Sequence, residues 1–151
     1  MKTGDKAMTD LQIVSFMIGK ECYGLNILNV KEIIKMVNIT SLPNVPDYVE
    51  GIINLRESVI PVIDLRKLLG VKNTELTLKT RIIVLEDHGK SNGFIVDEVS
   101  EVLRLDEMLL EDPPASTVDG SKEYIKQIAK LDDKMVILLD LDRLLFYVKA
   151  A

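Results

Sequence analysis

A strand-like run followed by an aspartate and a short apolar helix occurs twice in this sequence. The first copy, V-I-P-V-I-D-L-R-K-L-L, occupies residues 59–69, and the second, M-V-I-L-L-D-L-D-R-L-L, occupies residues 135–145. In each copy apolar and β-branched residues favour a strand, and the aspartate, Asp64 or Asp140, is a good helix N-cap rather than a catalyst. A chain that repeats a whole supersecondary unit is expected to fold as two similar halves.

Other segments of the two halves also align. Pairs of identical residues match at one constant offset: Gly24 with Gly93, Val30 with Val99, and Glu32 with Glu101. Ten short apolar runs predict strands at residues 11–18, 22–27, 32–37, 51–55, 59–63, 80–85, 93–96, 99–105, 125–131 and 135–139. The fold class expected is mainly β, with two similar five-stranded barrel-like subdomains that share a hydrophobic core, short helices, and antiparallel strand neighbours.

The 151 residues suit a single domain with its core at about residues 11–146 and a flexible tail at 1–9. The polar stretch 73–80 is where the halves are expected to exchange segments, and residues 111–121, with Pro113-Pro114, form a loop of variable order. Ile33, Ile34 and Val37 are assigned to the core by default, although an interface would also suit them.

The turn between residues 51–55 and 59–63 has unusual chemistry. It carries Arg56, Glu57 and Ser58 where glycine, asparagine or proline is common. The hairpin places Arg56 at an exposed tip, where its fork of donors suits a carboxylate of another molecule. The alternative is an ordinary solvated turn charge.

Composition argues against nucleic acid as a partner. The net charge is −5, no segment concentrates Lys and Arg, and aromatic residues are only 5% with no Trp. Neither phosphate neutralisation nor base stacking is therefore supported.

Catalytic, metal and cofactor sites are not predicted. Cys22 and His88 are the only residues of their types, and no phosphate-binding glycine motif or serine elbow is present. Cys22 is expected to be buried and His88 exposed in a turn. The acidic pairs Asp97-Glu98 and Asp132-Asp133 are adjacent in sequence, so on a strand their side chains point to opposite faces.

The N-terminal segment lacks the apolar core of a secretory signal, and no apolar run reaches the ~20 residues that span a bilayer. A single cysteine suits a reducing compartment. A cytoplasmic protein without membrane insertion is expected.

Three motifs together resemble the CheW-like family of bacterial chemotaxis coupling proteins. They are C-Y-G-L-N-I-L-N-V-K-E-I at residues 22–33, L-P-N-V-P-D-Y-V-E-G-I-I-N-L-R at 42–56, and V-I-P-V-I-D-L-R at 59–66. The resemblance runs from about residue 11 to residue 146. It implies two SH3-like β subdomains and a non-enzymatic adaptor that links the cytoplasmic tip of a chemoreceptor to the regulatory domain of the histidine kinase CheA.

The resemblance also implies site residues. The arginine of N-L-R, Arg56, is carried over as receptor-binding, and Val30, Glu32, Gly51 and Val59 match other positions of receptor or kinase contact. The run 99–105 resembles the side that docks on the kinase.

One departure concerns Glu57, which stands where the family has glycine. If that position needs a positive φ, Glu57 costs about 1 kcal/mol, and its carboxylate would compete for Arg56. The hypothesis is a divergent paralogue with altered receptor choice or weaker affinity. The alternatives are an adaptor of a non-chemotactic receptor–kinase array, a carboxylate-dependent enzyme, and an oligonucleotide-binding barrel.

Overall fold

The computed structural model describes residues 10–72, 74–114 and 124–150. The predicted tail at 1–9, Asn73 and most of the predicted loop 111–121 lie outside the described residues. Eleven strands follow in order: β1 Asp10–Ile18, β2 Glu21–Asn26, β3 Val30–Lys35, β4 Val49–Leu55, β5 Ser58–Asp64, β6 Arg81–Asp87, β7 Lys90–Val96, β8 Glu98–Asp106, β9 Leu110–Glu111, β10 Ile125–Lys130 and β11 Met135–Leu139. The mainly β prediction is confirmed; all ten predicted strands are present, and β9 is an additional strand of two residues.

Helices are few and short. They are α1 Leu65–Leu68 and α2 Leu141–Ala150, with 3₁₀ turns at Ile27–Asn29 and Glu107–Leu109. Both predicted aspartate caps are confirmed, since Asp64 accepts a hydrogen bond from the backbone N–H of Arg66 and Asp140 accepts one from that of Arg143. Among the described helices, none has the length and apolar character needed to cross a membrane.

The chain divides into two compact units. The first contains Met1–Ser15, Glu21–Ile27 and Ser100–Ala151, and the second contains Phe16–Lys20 and Leu28–Val99. The exchange of segments was predicted near residues 73–80, and this was wrong, because residues 74–80 lie within the second unit. The chain changes units near β1, β2 and the start of β8 instead.

The second unit holds a five-stranded sheet in the order β3-β6-β7-β5-β4. Alternate apolar residues of these strands form its core, which consists of Ile53, Ile60, Val62, Ile82, Val84 and Ile95. Beyond the end of β3, Thr40 pairs with Ile52 of β4, so the two edge strands of the sheet approach each other. This closure agrees with the barrel-like subdomain that was predicted.

The other sheet has six strands in the order β8-β1-β2-β11-β10-β9. Its sixth strand is β9, which pairs with β10 at two positions. Omitting β9, the order matches that of the five-stranded sheet when each strand is replaced by its aligned counterpart in sequence. The internal repeat is therefore present in the topology.

The register and packing of the two sheets repeat as well. Val62 of β5 lies opposite Gly93 of β7, and the aligned pair, Leu138 of β11 and Gly24 of β2, lies opposite in the same way. A Cβ atom on Gly93 would come within 2.9 Å of Ile82, and one on Gly24 within 2.5 Å of the aligned Ile13. Equivalent contacts thus make both positions too crowded for a side chain unless the neighbouring isoleucine shifts.

These two strand pairs are parallel, which corrects the expectation that neighbours are antiparallel. The turn predicted from Gly89 does join the antiparallel strands β6 and β7, and the turn predicted from Gly19 joins the neighbours β1 and β2, but the parallel pairs β5–β7 and β2–β11 are not consecutive in sequence. Turn residues report only on local pairing, so the sequence offered no signal for these parallel contacts.

Candidate functional site

Arg56 and Glu57 form the two-residue turn between β4 and β5. Leu55 and Ser58 are the last paired residues, and Arg56 and Glu57 have φ angles of 49° and 70°. Positive φ at both central residues is typical of a type I′ turn, which suits the right-handed twist of a hairpin. The predicted hairpin with Arg56 at its tip is confirmed.

Glu57 therefore has the backbone conformation for which glycine is favoured. A side chain in the left-handed region costs about 1–2 kcal/mol relative to the right-handed region, whereas glycine has no such penalty. The sequence analysis expected a conformational cost at Glu57 if its φ were positive, and its φ is positive.

Arg56 binds Glu32 through two parallel hydrogen bonds. Its Nε donates to Oε2 at 2.9 Å and its Nη2 donates to Oε1 at 3.0 Å. The carboxylate beside Arg56 was expected to be that of Glu57, but the carboxylate that it binds is that of Glu32, because β3 and the β4–β5 turn approach each other where the sheet closes. The hydrogen bonds from Arg56 lower the pKa of Glu32, and the same bonds raise the pKa of Arg56.

The remaining surface of the ion pair is open. The Arg56 side chain is 74% exposed, while that of Glu32 is 20% exposed. Val59, which follows the turn by two residues, is 67% exposed, and Val30 at the start of β3 is half-buried. Leu28, in the 3₁₀ turn before Val30, is also strongly exposed; sequence analysis did not single it out.

Gly51 has a different position from the other predicted site residues. It is buried, its φ is 147°, and a Cβ atom there would overlap the backbone carbonyl of Thr40. Its lack of a side chain permits the backbone pairing of Ile52 with Thr40. The structure thus gives Gly51 a role in closing the sheet beneath the Arg56 turn.

Two residues assigned to the core by default are exposed. Ile33 is 41% exposed and Val37 is also exposed, whereas Ile34 packs against the core of the second unit. Strand β3 alternates between the two faces, so its neighbours Ile33 and Ile34 cannot both point inward.

Arg66 is a buried residue whose importance the sequence analysis missed. Its guanidinium donates to both carboxylate oxygens of Asp64, to Asp97, and to the backbone carbonyls of Thr74 and Glu75. Burial lowers the pKa of Arg66, but hydrogen bonds and the charges of Asp64 and Asp97 outweigh this effect and leave it raised. These five hydrogen bonds match the five N–H groups of a guanidinium, so Arg66 has a structural role.

Other residues considered from the sequence have structural surroundings. Asp97, one of the predicted acidic pair, accepts hydrogen bonds from Arg66 and from the backbone N–H of Gly19. Cys22 is buried, and burial raises the pKa of its thiol, while His88 is exposed in a turn, both as predicted. Over residues 10–72, 74–114 and 124–150, no group of three His, Cys, Asp or Glu side chains is placed to hold a metal ion.

Comparison with known proteins gives consistent results. The family model described as CheW-like domain matches residues 12–148. A chemotaxis protein CheW of Thermotoga maritima is 35% identical over 145 residues, which cover 96% of this chain and 94% of that protein. One of Bacillus subtilis is 34% identical over 145 residues, covering 96% and 89% of the two chains.

A solved structure is similar over most of its length. The crystal structure of the scaffolding protein TtCheW from Thermoanaerobacter tengcongensis is 44% identical and has a TM-score of 0.79, with 85% of this chain and 88% of that chain covered. The family model, the sequence relatives and the solved structure thus all indicate the same family. This chain belongs to the CheW-like domain family.

Proposed function

We propose that this protein is a chemotaxis adaptor that couples chemoreceptors to the histidine kinase CheA and catalyses no reaction of its own. The family match over residues 12–148 is the observation that carries this proposal. The presence of Arg56, the arginine of the family motif, on an exposed and well-formed turn supports it. The chain acts in the cytoplasm in this proposal, as a single domain made of two intertwined β subdomains.

The receptor's cytoplasmic tip binds around Arg56 in this proposal. Glu32 uses two of the five N–H groups of Arg56, which leaves both N–H groups of Nη1 and one of Nη2 for a partner carboxylate. Because Glu32 already fixes the plane of the guanidinium, less side-chain entropy is lost when the receptor binds. Glu32 is thus a positioning residue for Arg56.

The other proposed contact residues surround this ion pair or support it. Val30 and Val59 supply apolar surface near its two ends, and Glu57 shares the turn with Arg56. Gly51 acts indirectly, by allowing the closure that brings β3 to the turn. The regulatory domain of CheA is the second partner, and the run 99–105 is proposed to face it.

Calorimetric titration at two salt concentrations tests the proposal. The full chain is titrated with a receptor tip fragment and, separately, with the CheA regulatory domain. Arg56→Ala is expected to weaken receptor binding by about 1–3 kcal/mol, because a charge-assisted hydrogen bond is lost, and this loss should shrink at high salt.

Lys126→Ala is the matched control. Lys126 is an exposed cation on β10, in the other sheet, so its removal changes the net charge equally without altering a proposed contact residue. Equal binding of the receptor fragment by wild type and Arg56→Ala would exclude Arg56 from the site. If the wild-type chain binds neither protein, the family fold is present without the coupling function.

A further inference from the structure

Two cations face each other across strands β3 and β6. Lys35, the last residue of β3, lies directly opposite Arg81, the first residue of β6. Residues that lie directly opposite in an antiparallel pair have their side chains on the same face of the sheet, and like charges in that arrangement are destabilising. The free chain therefore carries an unfavourable pair at this end of the two strands.

No carboxylate of these strands is left to offset the pair. Each of the other charged residues of β3 and β6 faces an opposite charge: Lys31 binds Glu86, Glu32 binds Arg56, and Asp87 lies opposite Lys90. On its other side Arg81 lies opposite Val96 of β7, which is apolar. Lys35 is exposed and, within the part of the chain that the structure describes, has no hydrogen-bond or ion-pair partner.

The guanidinium of Arg81 is held by the backbone that precedes it. Its Nη1 donates to the carbonyls of Leu78 and Thr80, both at 2.9 Å. These bonds use two of its five N–H groups, and the three on Nε and Nη2 have no partner among the described residues. A guanidinium that is already fixed loses less side-chain entropy when it binds an anion.

Arg81 also lines a cavity of about 280 Å³. The cavity is lined by Ile33, Lys79, Arg81, Glu98 and Val99. Its one carboxylate, Glu98, already pairs with Lys79 at 3.9 Å, so the charge of Arg81 is not neutralised there. Ile33, two residues before Lys35 on the same face of β3, is 41% exposed. A complementary partner therefore presents a carboxylate next to an apolar group.

The position of the cation pair indicates which partner can reach it. Glu32, which binds Arg56, precedes Lys35 by three residues on β3, a separation of roughly 10 Å along a strand. A stable protein contact covers about 800 Å² on each side, a patch wider than this separation. A partner that binds at Arg56 therefore also covers Lys35.

We propose that Lys35 and Arg81 bind a carboxylate of the receptor's cytoplasmic tip and help to determine which receptors this chain accepts. The proposal rests on the proposed function, because it takes the receptor tip as the partner at Arg56. The bound carboxylate lies between two cations and relieves their repulsion. The same pair thus destabilises the free chain and stabilises the complex.

The test measures binding and stability on the same variants of the full chain. Lys35→Gln should weaken binding of the receptor tip fragment about two- to fivefold, as expected for an exposed ion pair, and the loss should shrink at high salt. Lys35→Glu should weaken it further, yet its melting temperature should exceed that of wild type, because an opposite charge then faces Arg81. A purely structural role for Lys35 would lower binding and stability together.

Two further variants complete the comparison. Lys35→Arg keeps the charge and should bind the receptor fragment within about twofold of wild type. Lys126→Glu changes the net charge as Lys35→Glu does, but on β10 of the other sheet, and should bind more tightly than Lys35→Glu.

Three results would overturn the inference while the proposed function stands: equal receptor binding by Lys35→Glu and Lys126→Glu, a loss confined to the CheA regulatory domain, or a melting temperature of Lys35→Glu below that of wild type. Lost binding by Arg56→Ala alone would then place the receptor at the Arg56 turn without the cation pair. Absence of binding by the wild-type chain to both probes would overturn the proposed function and this inference together.

Discussion

Glu57 has a backbone conformation that penalises a side chain. Its φ of 70° lies in the left-handed region, so Glu57→Gly should raise the free energy of unfolding by about 1 kcal/mol. Chemical denaturation measures this change. The substitution of Ser58, which follows the turn, by glycine is the control and should not stabilise, because Ser58 is in extended strand.

The same variant tests whether Glu57 alters receptor choice. A carboxylate next to Arg56 repels an incoming receptor carboxylate, so Glu57→Gly should bind the receptor tip fragment more tightly than wild type, with the larger gain at low salt. Titration of both proteins measures it. Comparable binding by wild type and Glu57→Gly would end the hypothesis of a divergent receptor preference.

The ion pair of Arg56 and Glu32 predicts a pH dependence. Because Arg56 lowers the pKa of Glu32 in the folded chain, the pair stabilises the fold above the ordinary glutamate pKa of about 4.3, and this contribution is lost as the pH falls through the lowered value. The difference in melting temperature between wild type and Glu32→Gln should thus be present at neutral pH and disappear in acid. In an Arg56→Ala background the difference should be small at every pH, and a large one there would contradict the assignment.

At the scale of elements, Gly51 connects local backbone freedom to closure of the sheet. Gly51→Ala places a Cβ atom on the carbonyl of Thr40 and should destabilise the fold by about 2 kcal/mol or more. Gly89→Ala is the matched control, since Gly89 also has positive φ but has open space around it, and about 1 kcal/mol is expected there. Equal losses in thermal unfolding would mean that the Thr40–Ile52 pairing does not depend on Gly51.

Single elements were predictable from the sequence where local chemistry decides them. Apolar runs correctly predicted the ten strands, and Asp64 and Asp140 correctly predicted where α1 and α2 begin. The Arg56–Glu32 pair and the bonds of Arg66 were not predicted, because they join residues on different elements. Of the site, the sequence indicated the turn and its arginine but not which carboxylate that arginine binds.

At the scale of the whole molecule, the repeat was visible in sequence while the pairing of its parts was not. The alignment of Gly24 with Gly93 corresponds to equivalent parallel pairs in the two sheets. The points at which the chain changes units depend on contacts between distant segments, for which periodicity carries no information. The polar stretch near residue 73 was therefore mistaken for the exchange point.

The two units differ in whether the strands of their sheet come from one continuous segment of the chain. All five strands of the sheet of the second unit lie within Leu28–Val99, whereas Ser100–Ala151 lacks β1 and β2, which stand between β8 and β11 in the other sheet. Without those strands, β8 has no partner in the sheet order and β11 loses its parallel neighbour. What remains is the hairpin of β10 and β11 with the two-residue strand β9 beside it, and an isolated hairpin is at best marginally stable in water.

A peptide of Ser100–Ala151 is therefore expected to give a far-ultraviolet circular dichroism spectrum of an unfolded chain, while Leu28–Val99 keeps a β spectrum. Leu28–Val99 should melt below the full chain, because it lacks Met17 and Gly19, whose backbone groups bind Asp97. Adding a peptide that contains β1 and β2 to Ser100–Ala151 should restore β signal, since it supplies the missing centre of the sheet. A cooperative β melt of Ser100–Ala151 alone would show that this sheet can form with β8 and β11 in a different order from that of the whole chain.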